Sequence, residues 1–83
     1  MKITAVTARF FAAAEEAVGA GEMRLELARP ASISDVLATA SGHESHAVLA
    51  RCSFLVNGEA TTDATTELRD GDLLDVLPPF AGG

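Results

Sequence analysis

The sequence predicts an α+β fold, a mixed sheet of four to five strands packed against helices. Three observations lead there. Apolar residues switch along the chain between a spacing of two, as in strands, and a spacing near 3.6, as in helices. The segments so marked run strand, helix, strand, helix, then further strands. The chain has 83 residues, enough for one small domain. Of its residues 48% are hydrophobic, sixteen of them Ala. That supports one sheet with one or two helices and is too much for a disordered chain.

Residues Ile3 to Ala8 alternate roughly with Thr and read as the first strand. Phe10 to Val18 contains no Gly or Pro. Its Phe10, Ala14, Ala17 and Val18 follow helical spacing, and Gly19 is a natural stop. Met23-Arg24-Leu25-Glu26-Leu27 alternates apolar and charged residues. It reads as a second strand with one wet face, antiparallel to the first and at or near a sheet edge. Arg29-Pro30 ends it.

Ser32 opens the second helix, its hydroxyl placed to cap the first turn and Asp35 three residues on near the positive helix end. Ile33, Val36, Leu37 and Ala40 form one buried stripe. Between His43 and Arg51 the residues Ala47, Val48 and Ala50 read as a short helical turn. Cys52, Phe54 and Val56 alternate as a third strand, and Asn57-Gly58 is the pair favoured by type I′ hairpin turns, folding Glu59 to Thr61 back beside it. Thr62 to Arg69 reads as a polar connection anchored by Leu68. Asp70-Gly71 turns into the last strand, Asp72 to Leu77, where Leu74 and Val76 point one way and Leu73, Asp75 and Leu77 the other. If first and last strands pair centrally under a helix, the result is a β-grasp (ubiquitin-like) roll. Propensity alone does not select that topology from other α+β arrangements.

Composition excludes several functions. Six Lys and Arg stand against twelve Asp and Glu, a net charge of −6 with no basic stripe, which argues against nucleic acid. No apolar run reaches membrane-spanning length, and Met1-Lys2-Ile3-Thr4 lacks a signal peptide's apolar stretch. One Cys, Cys52, forms no internal disulfide, so the cytoplasm is the expected compartment. So small a body rarely encloses a substrate pocket of its own. Cys52 and Ser53 have no His near them in sequence, and Cys52 reads as a small core hydrophobe. His43 and His46 lack a surrounding ligand set, so no metal is expected. Glu15 and Glu16 read as a solvated helix face, and the carboxylates in general as scattered over surfaces.

What remains is Pro78-Pro79-Phe80-Ala81-Gly82-Gly83, read as an extended functional tail on a 1–77 domain. Two prolines enforce an extended exit. Gly82 and Gly83 lack a Cβ and fit a slot too narrow for side chains. The Gly83 carboxylate is ionised and open to activation as an acyl group.

Four segments resemble the MoaD family of ubiquitin-like proteins, the small sulfur-carrier subunits of molybdopterin synthase. They are Arg9-Phe10-Phe11-Ala12 with Glu15-Glu16-Ala17-Val18-Gly19, Ala31 to Leu37, Val56-Asn57-Gly58-Glu59, and above all Asp70 to Gly83. Phe80 departs from the smaller aliphatic residue the family often carries. The resemblance implies a β-grasp fold and a cycle driven by partners. An E1-like adenylyltransferase, using ATP and Mg²⁺, would adenylate Gly83. A persulfide sulfurtransferase would supply the sulfur that makes a Gly83 thiocarboxylate. The large synthase subunit would receive the tail through Pro78, Pro79, Phe80, Ala81 and Gly82 and pass the sulfur to the pterin precursor. No cofactor would bind this chain itself. The resemblance also places Phe11, Ala60 and Leu77 against the large subunit. Independently, Leu73 and Leu77 share a strand face opposite Leu74 and Val76, and apolar residues exposed beside a tail mark an interface, unless they pack under a loop. The same chemistry with another recipient (cysteine, thiamin or tRNA thiolation) and ubiquitin-like conjugation to lysines are the competing readings.

Overall fold

The first and last strands meet at the centre of the sheet, and the rest of the chain is arranged around that contact. The computed structural model describes residues 2–40 and 49–78. Strand β1 (Ile3–Phe10) leads to helix α1 (Ala13–Val18), strand β2 (Glu22–Ala28), the short β3 (Ala31–Ser32) and helix α2 (Ile33–Ala40). Strands β4 (Ser53–Val56), β5 (Glu59–Thr61), β6 (Glu67–Leu68) and β7 (Leu73–Leu77) follow. The main sheet has the order β2-β1-β7-β4-β5, with β1 and β7 parallel and the other neighbours antiparallel. β3 and β6 pair separately. The mixed five-stranded sheet, with two helices among the described residues, is the β-grasp architecture expected from the sequence.

One face of the sheet makes the core. Val6, Ala8 and Phe10 of β1, Leu74 and Val76 of β7 and Phe54 of β4 are buried against Ile33 and Val36 of α2 and Ala14 of α1. Leu37 and Ala40 complete the α2 stripe, half-buried against the same cluster. Leu68, Leu49 and Cys52 close the core's remaining sides. Burial pushes the Cys52 thiol pKa up, which disfavours a thiolate and fits its reading as a core residue.

The turns explain the register. Asn57 and Gly58 both take positive φ, 50° and 87°, as a type I′ hairpin requires. The Asn57 side chain also clips the hairpin to β7: its Nδ2 donates to Asp72 at 2.9 Å, and its Oδ1 accepts the Leu73 N–H at 2.9 Å. The Asp70 carboxylate accepts the Ala5 N–H at 2.8 Å, and the Gly71 N–H donates to the Ala5 carbonyl at 2.7 Å. Asp70-Gly71-Asp72 therefore fastens the start of β7 to both flanking strands. At α2 the Ser32 Oγ accepts the Asp35 N–H at 3.3 Å while the Asp35 carboxylate accepts the Ser32 N–H at 2.8 Å, a reciprocal cap.

Three expectations are corrected. Phe10 belongs to β1 and not to the first helix: it is buried opposite Val76, and its N–H donates to Gly21 at 2.9 Å. Strand pairing outweighs the helical spacing there, and Ala12, at φ 50°, makes the bend into α1. The polar connection after Thr62 contains β6, whose Leu68 faces Ala31; two residues are too few to show alternation. Asp75 is buried and not on a solvated surface. The helical turn expected at Ala47 and Val48, and both His43 and His46, lie outside the described residues.

Leu74 sits fully buried on the central strand. Leu74→Ala is expected to lower the unfolding free energy by about 2–5 kcal/mol, the range for a large-to-small core change, read from urea melts followed by circular dichroism.

Candidate functional site

The candidate site is the face of the sheet turned away from the helices, at the end where β7 hands over to Pro78. Alternation along β7 puts Leu74 and Val76 in the core and sends Leu73, Asp75 and Leu77 to the other face. β4 lies antiparallel beside it, with Ser53 opposite Leu77 and Leu55 opposite Asp75, and β5 adds Ala60 opposite Leu55. Ser53, Leu55, Ala60 and Leu77, with Phe54, Thr61 and Thr62 at the β4–β5 margin, line an open trough of about 530 Å³. It has the volume of a ligand pocket but lies open on the surface, a shape suited to another chain's side chains.

On the other side of β7 the register sets Arg9 beside Asp75. The guanidinium grips the carboxylate with both ends of its fork, Nε to Oδ1 at 2.6 Å and Nη2 to Oδ2 at 2.9 Å. The Asp75 side chain is 10% exposed and that of Arg9 42%. The arginine therefore covers the carboxylate while its own outer edge stays wet. Its pKa is raised, chiefly by the hydrogen bond to Asp75. The Arg9 Cζ lies 5.8 Å from the centre of the Phe11 ring, within cation–π range, and Phe11 is 39% exposed. The Phe11 N–H donates to the Val76 carbonyl at 3.2 Å, which holds that ring near the last turn of β7.

The four apolar residues singled out in the sequence thus fall on different parts of this region. Ala60 and Leu77 share the trough. Phe11 stands across β7 from them, at the end of β1. Leu73 opens β7, four residues before Leu77 and about 13 Å away at strand rise. Ala60 is exposed, and Leu73 and Leu77 are half-buried. Pro78 is described and half-buried; Pro79, Phe80, Ala81, Gly82 and Gly83 lie outside the described residues. Sequence reasoning missed the Arg9–Asp75 pair and the contribution of Ser53, Leu55, Thr61 and Thr62 to the trough. Asp75 between Leu73 and Leu77 on one face was a signal that a cation must lie near, but only the β1–β7 register says which.

Among the described residues no cluster of three His, Cys, Asp or Glu is arranged to hold a metal, and no helix is long and apolar enough to cross a membrane. The profile of the ThiS family matches residues 8–83. The chain belongs to the ThiS family. It is similar to the "Molybdopterin synthase sulfur carrier subunit" of Chlamydomonas reinhardtii, 34% identical over 77 residues that cover 89% of this chain and 93% of the relative. The likeness in fold extends to solved structures. The solution structure of the Haloferax volcanii HVO 2177 protein superposes with a TM-score of 0.80 at 29% identity, covering 98% of this chain and 88% of that one. A complex of subunits 1 and 2 of the molybdopterin-converting factor from Helicobacter pylori contains a chain with the same fold, at TM-score 0.66 and 23% identity, covering 96% of this chain and 100% of that one.

The Arg9–Asp75 pair is asymmetric in burial, which sets an order of effects. Arg9→Met strands a buried carboxylate, whereas Asp75→Asn leaves a guanidinium that water can reach. Arg9→Met is expected to lower the urea midpoint more than Asp75→Asn, and the double variant to lose less than the sum of the two.

Proposed function

We propose that this chain is a sulfur carrier for molybdopterin synthesis, with the sulfur held as a thiocarboxylate on Gly83. The observation that carries the reading is the family match, which runs through the final Gly82-Gly83. The relative from Chlamydomonas bears the same role in its name. The chemistry follows from the carboxylate. Attack of the Gly83 oxygen on the α-phosphorus of ATP, on an E1-like enzyme with Mg²⁺, expels pyrophosphate and makes an acyl adenylate with a good leaving group. A persulfide sulfur then displaces AMP, and thiol reduction of the acyl disulfide leaves the thiocarboxylate. The activating enzyme, the persulfide donor and the large synthase subunit supply every catalytic group. This chain supplies a carbonyl carbon and the surface that delivers it, in the cytoplasm.

The trough and the Arg9–Phe11 ridge flank the strand that leads into the tail. They form the docking face for the large subunit, so the partner that binds the body also receives Gly83. The complex of subunits 1 and 2 from Helicobacter pylori, which contains a chain of the same fold, supports a large-subunit partner.

Incubation with an E1-like enzyme, ATP and a persulfide donor is expected to add the mass difference of one oxygen replaced by sulfur. A variant lacking Gly83 should fold normally and gain nothing. An unchanged mass with a competent activating enzyme rejects the reading. Ala60→Glu places a charge in the trough and is expected to weaken binding to a large synthase subunit at least tenfold, about 1.4 kcal/mol, by calorimetry. Its circular dichroism should be unaltered.

A further inference from the structure

We propose that the outer edge of β2 pairs with the same edge of a second copy of this chain, antiparallel and centred on Leu25, joining two five-stranded sheets into one. This surface is separate from the docking face, and the proposal stands or falls independently of sulfur transfer.

β2 is the outermost strand on its side of the sheet. Its inner side is bonded to β1: the Phe10 N–H donates to the Gly21 carbonyl at 2.9 Å, and the Arg29 N–H to the Lys2 carbonyl at 3.2 Å. Bonded pairs alternate in an antiparallel ladder. The odd-numbered residues of β2 therefore face β1, while Glu22, Arg24, Glu26 and Ala28 aim their N–H and C=O groups outward. Among the described residues nothing pairs with that outer row. Such an edge is a template for another strand.

Charge complementarity identifies the strand. Outward-facing residues must meet outward-facing residues, so only registers centred on a residue are allowed. Centring on Arg24 opposes arginine to arginine and Glu22 to Glu26. Centring on Glu26 opposes glutamate to glutamate. Centring on Met23 leaves only three residues of each strand overlapping. Centring on Leu25, the midpoint of Glu22–Ala28, overlaps the whole strand. It sets Arg24 of each copy against Glu26 of the other. Directly opposed unlike charges stabilise an antiparallel pair and like charges destabilise it. Met23, Leu25 and Leu27, half-buried at the rim of the core, then meet Leu27, Leu25 and Met23 of the other copy and cover their remaining apolar surface. The two-fold axis stands perpendicular to the sheet, so both docking faces look the same way. β5, which carries Ala60, is at the opposite edge and stays clear.

Sedimentation velocity tests this on the full chain from micromolar to millimolar concentration, in about 0.15 M salt so that the −6 charge of each copy is screened beyond ~8 Å. The wild type is expected to move from monomer to dimer. Arg24→Glu alone and Glu26→Arg alone each oppose like charges and are expected to raise the dimer Kd at least tenfold. Mixed in equal amounts they restore both unlike pairs and are expected to dimerise again. Glu26→Pro removes one outward N–H without touching the β1 ladder and is expected to stay monomeric with an unchanged circular dichroism spectrum. A wild type monomeric at every concentration overturns the proposal. So does a dimer indifferent to either charge reversal, or a mixture that stays monomeric.

Discussion

The parallel pairing of β1 with β7 is the contact on which the rest of the structure depends. It joins residues 66 apart in sequence, as the Arg9–Asp75 pair measures, so closing it orders most of the chain between them. A parallel pair cannot be made by a tight turn; it needs a long crossover, and the intervening helices and strands are that crossover. Once β1 and β7 lie side by side, β2 has only the free side of β1 to add to, and β4 only the free side of β7. The five-strand order follows from where the two ends meet. The Asp70-Gly71-Asp72 turn secures the register, bonding to Ala5 and Thr7 on one side and, through Asp72, to Asn57 on the other.

The two faces of β7 then carry different duties. Leu74 and Val76 hold the core and need only volume and burial. Leu73, Asp75 and Leu77 occupy a face that, among the described residues, no helix covers. A carboxylate at the middle of that face would be poorly hydrated alone. Arg9 answers its charge and at the same time shields it, using the planar fork that matches a carboxylate. The face is thereby left with apolar ground on either side of a satisfied ion pair, which a docking partner can cover without stranding a charge. The ring of Phe11 lies against the same guanidinium, so the pair also settles where that exposed aromatic stands.

Most of the elements were legible because each is marked locally. Alternation marks β2, β4 and β7; the Ser32–Asp35 cap and the Ile33-Val36-Leu37-Ala40 stripe mark α2; Asn57-Gly58 and Asp70-Gly71 mark turns that positive φ makes specific. What escaped was set by distant partners. Phe10 satisfies helical spacing with Ala14 and Val18, yet the ladder to Gly21 and the core opposite Val76 keep it in β1. Leu68 was recognisable as an anchor, but its pairing with Ala31 spans too few residues to leave a pattern. The proposed docking face was legible in part. Leu73 and Leu77 share a face by simple alternation, whereas the trough with Ala60 requires the β4–β5 and β4–β7 registers, and Asp75 could be matched to Arg9 only once strands from the two ends of the chain were known to touch.

A central strand gives the proposed functional tail a firm point of departure. β7 is bonded on both sides, so the point of departure, Leu77-Pro78, is fixed relative to the trough on β4–β5 and to Phe11 on β1. In the proposed role, a partner that reads those surfaces also reads the position of the tail's root. An edge strand would give no such frame: it is supported on one side only and remains open to pairing on the other. In this chain the edge positions fall to β2 and β5, while the strand that leads towards Gly83 lies between β1 and β4, where neighbours on both sides hold it still.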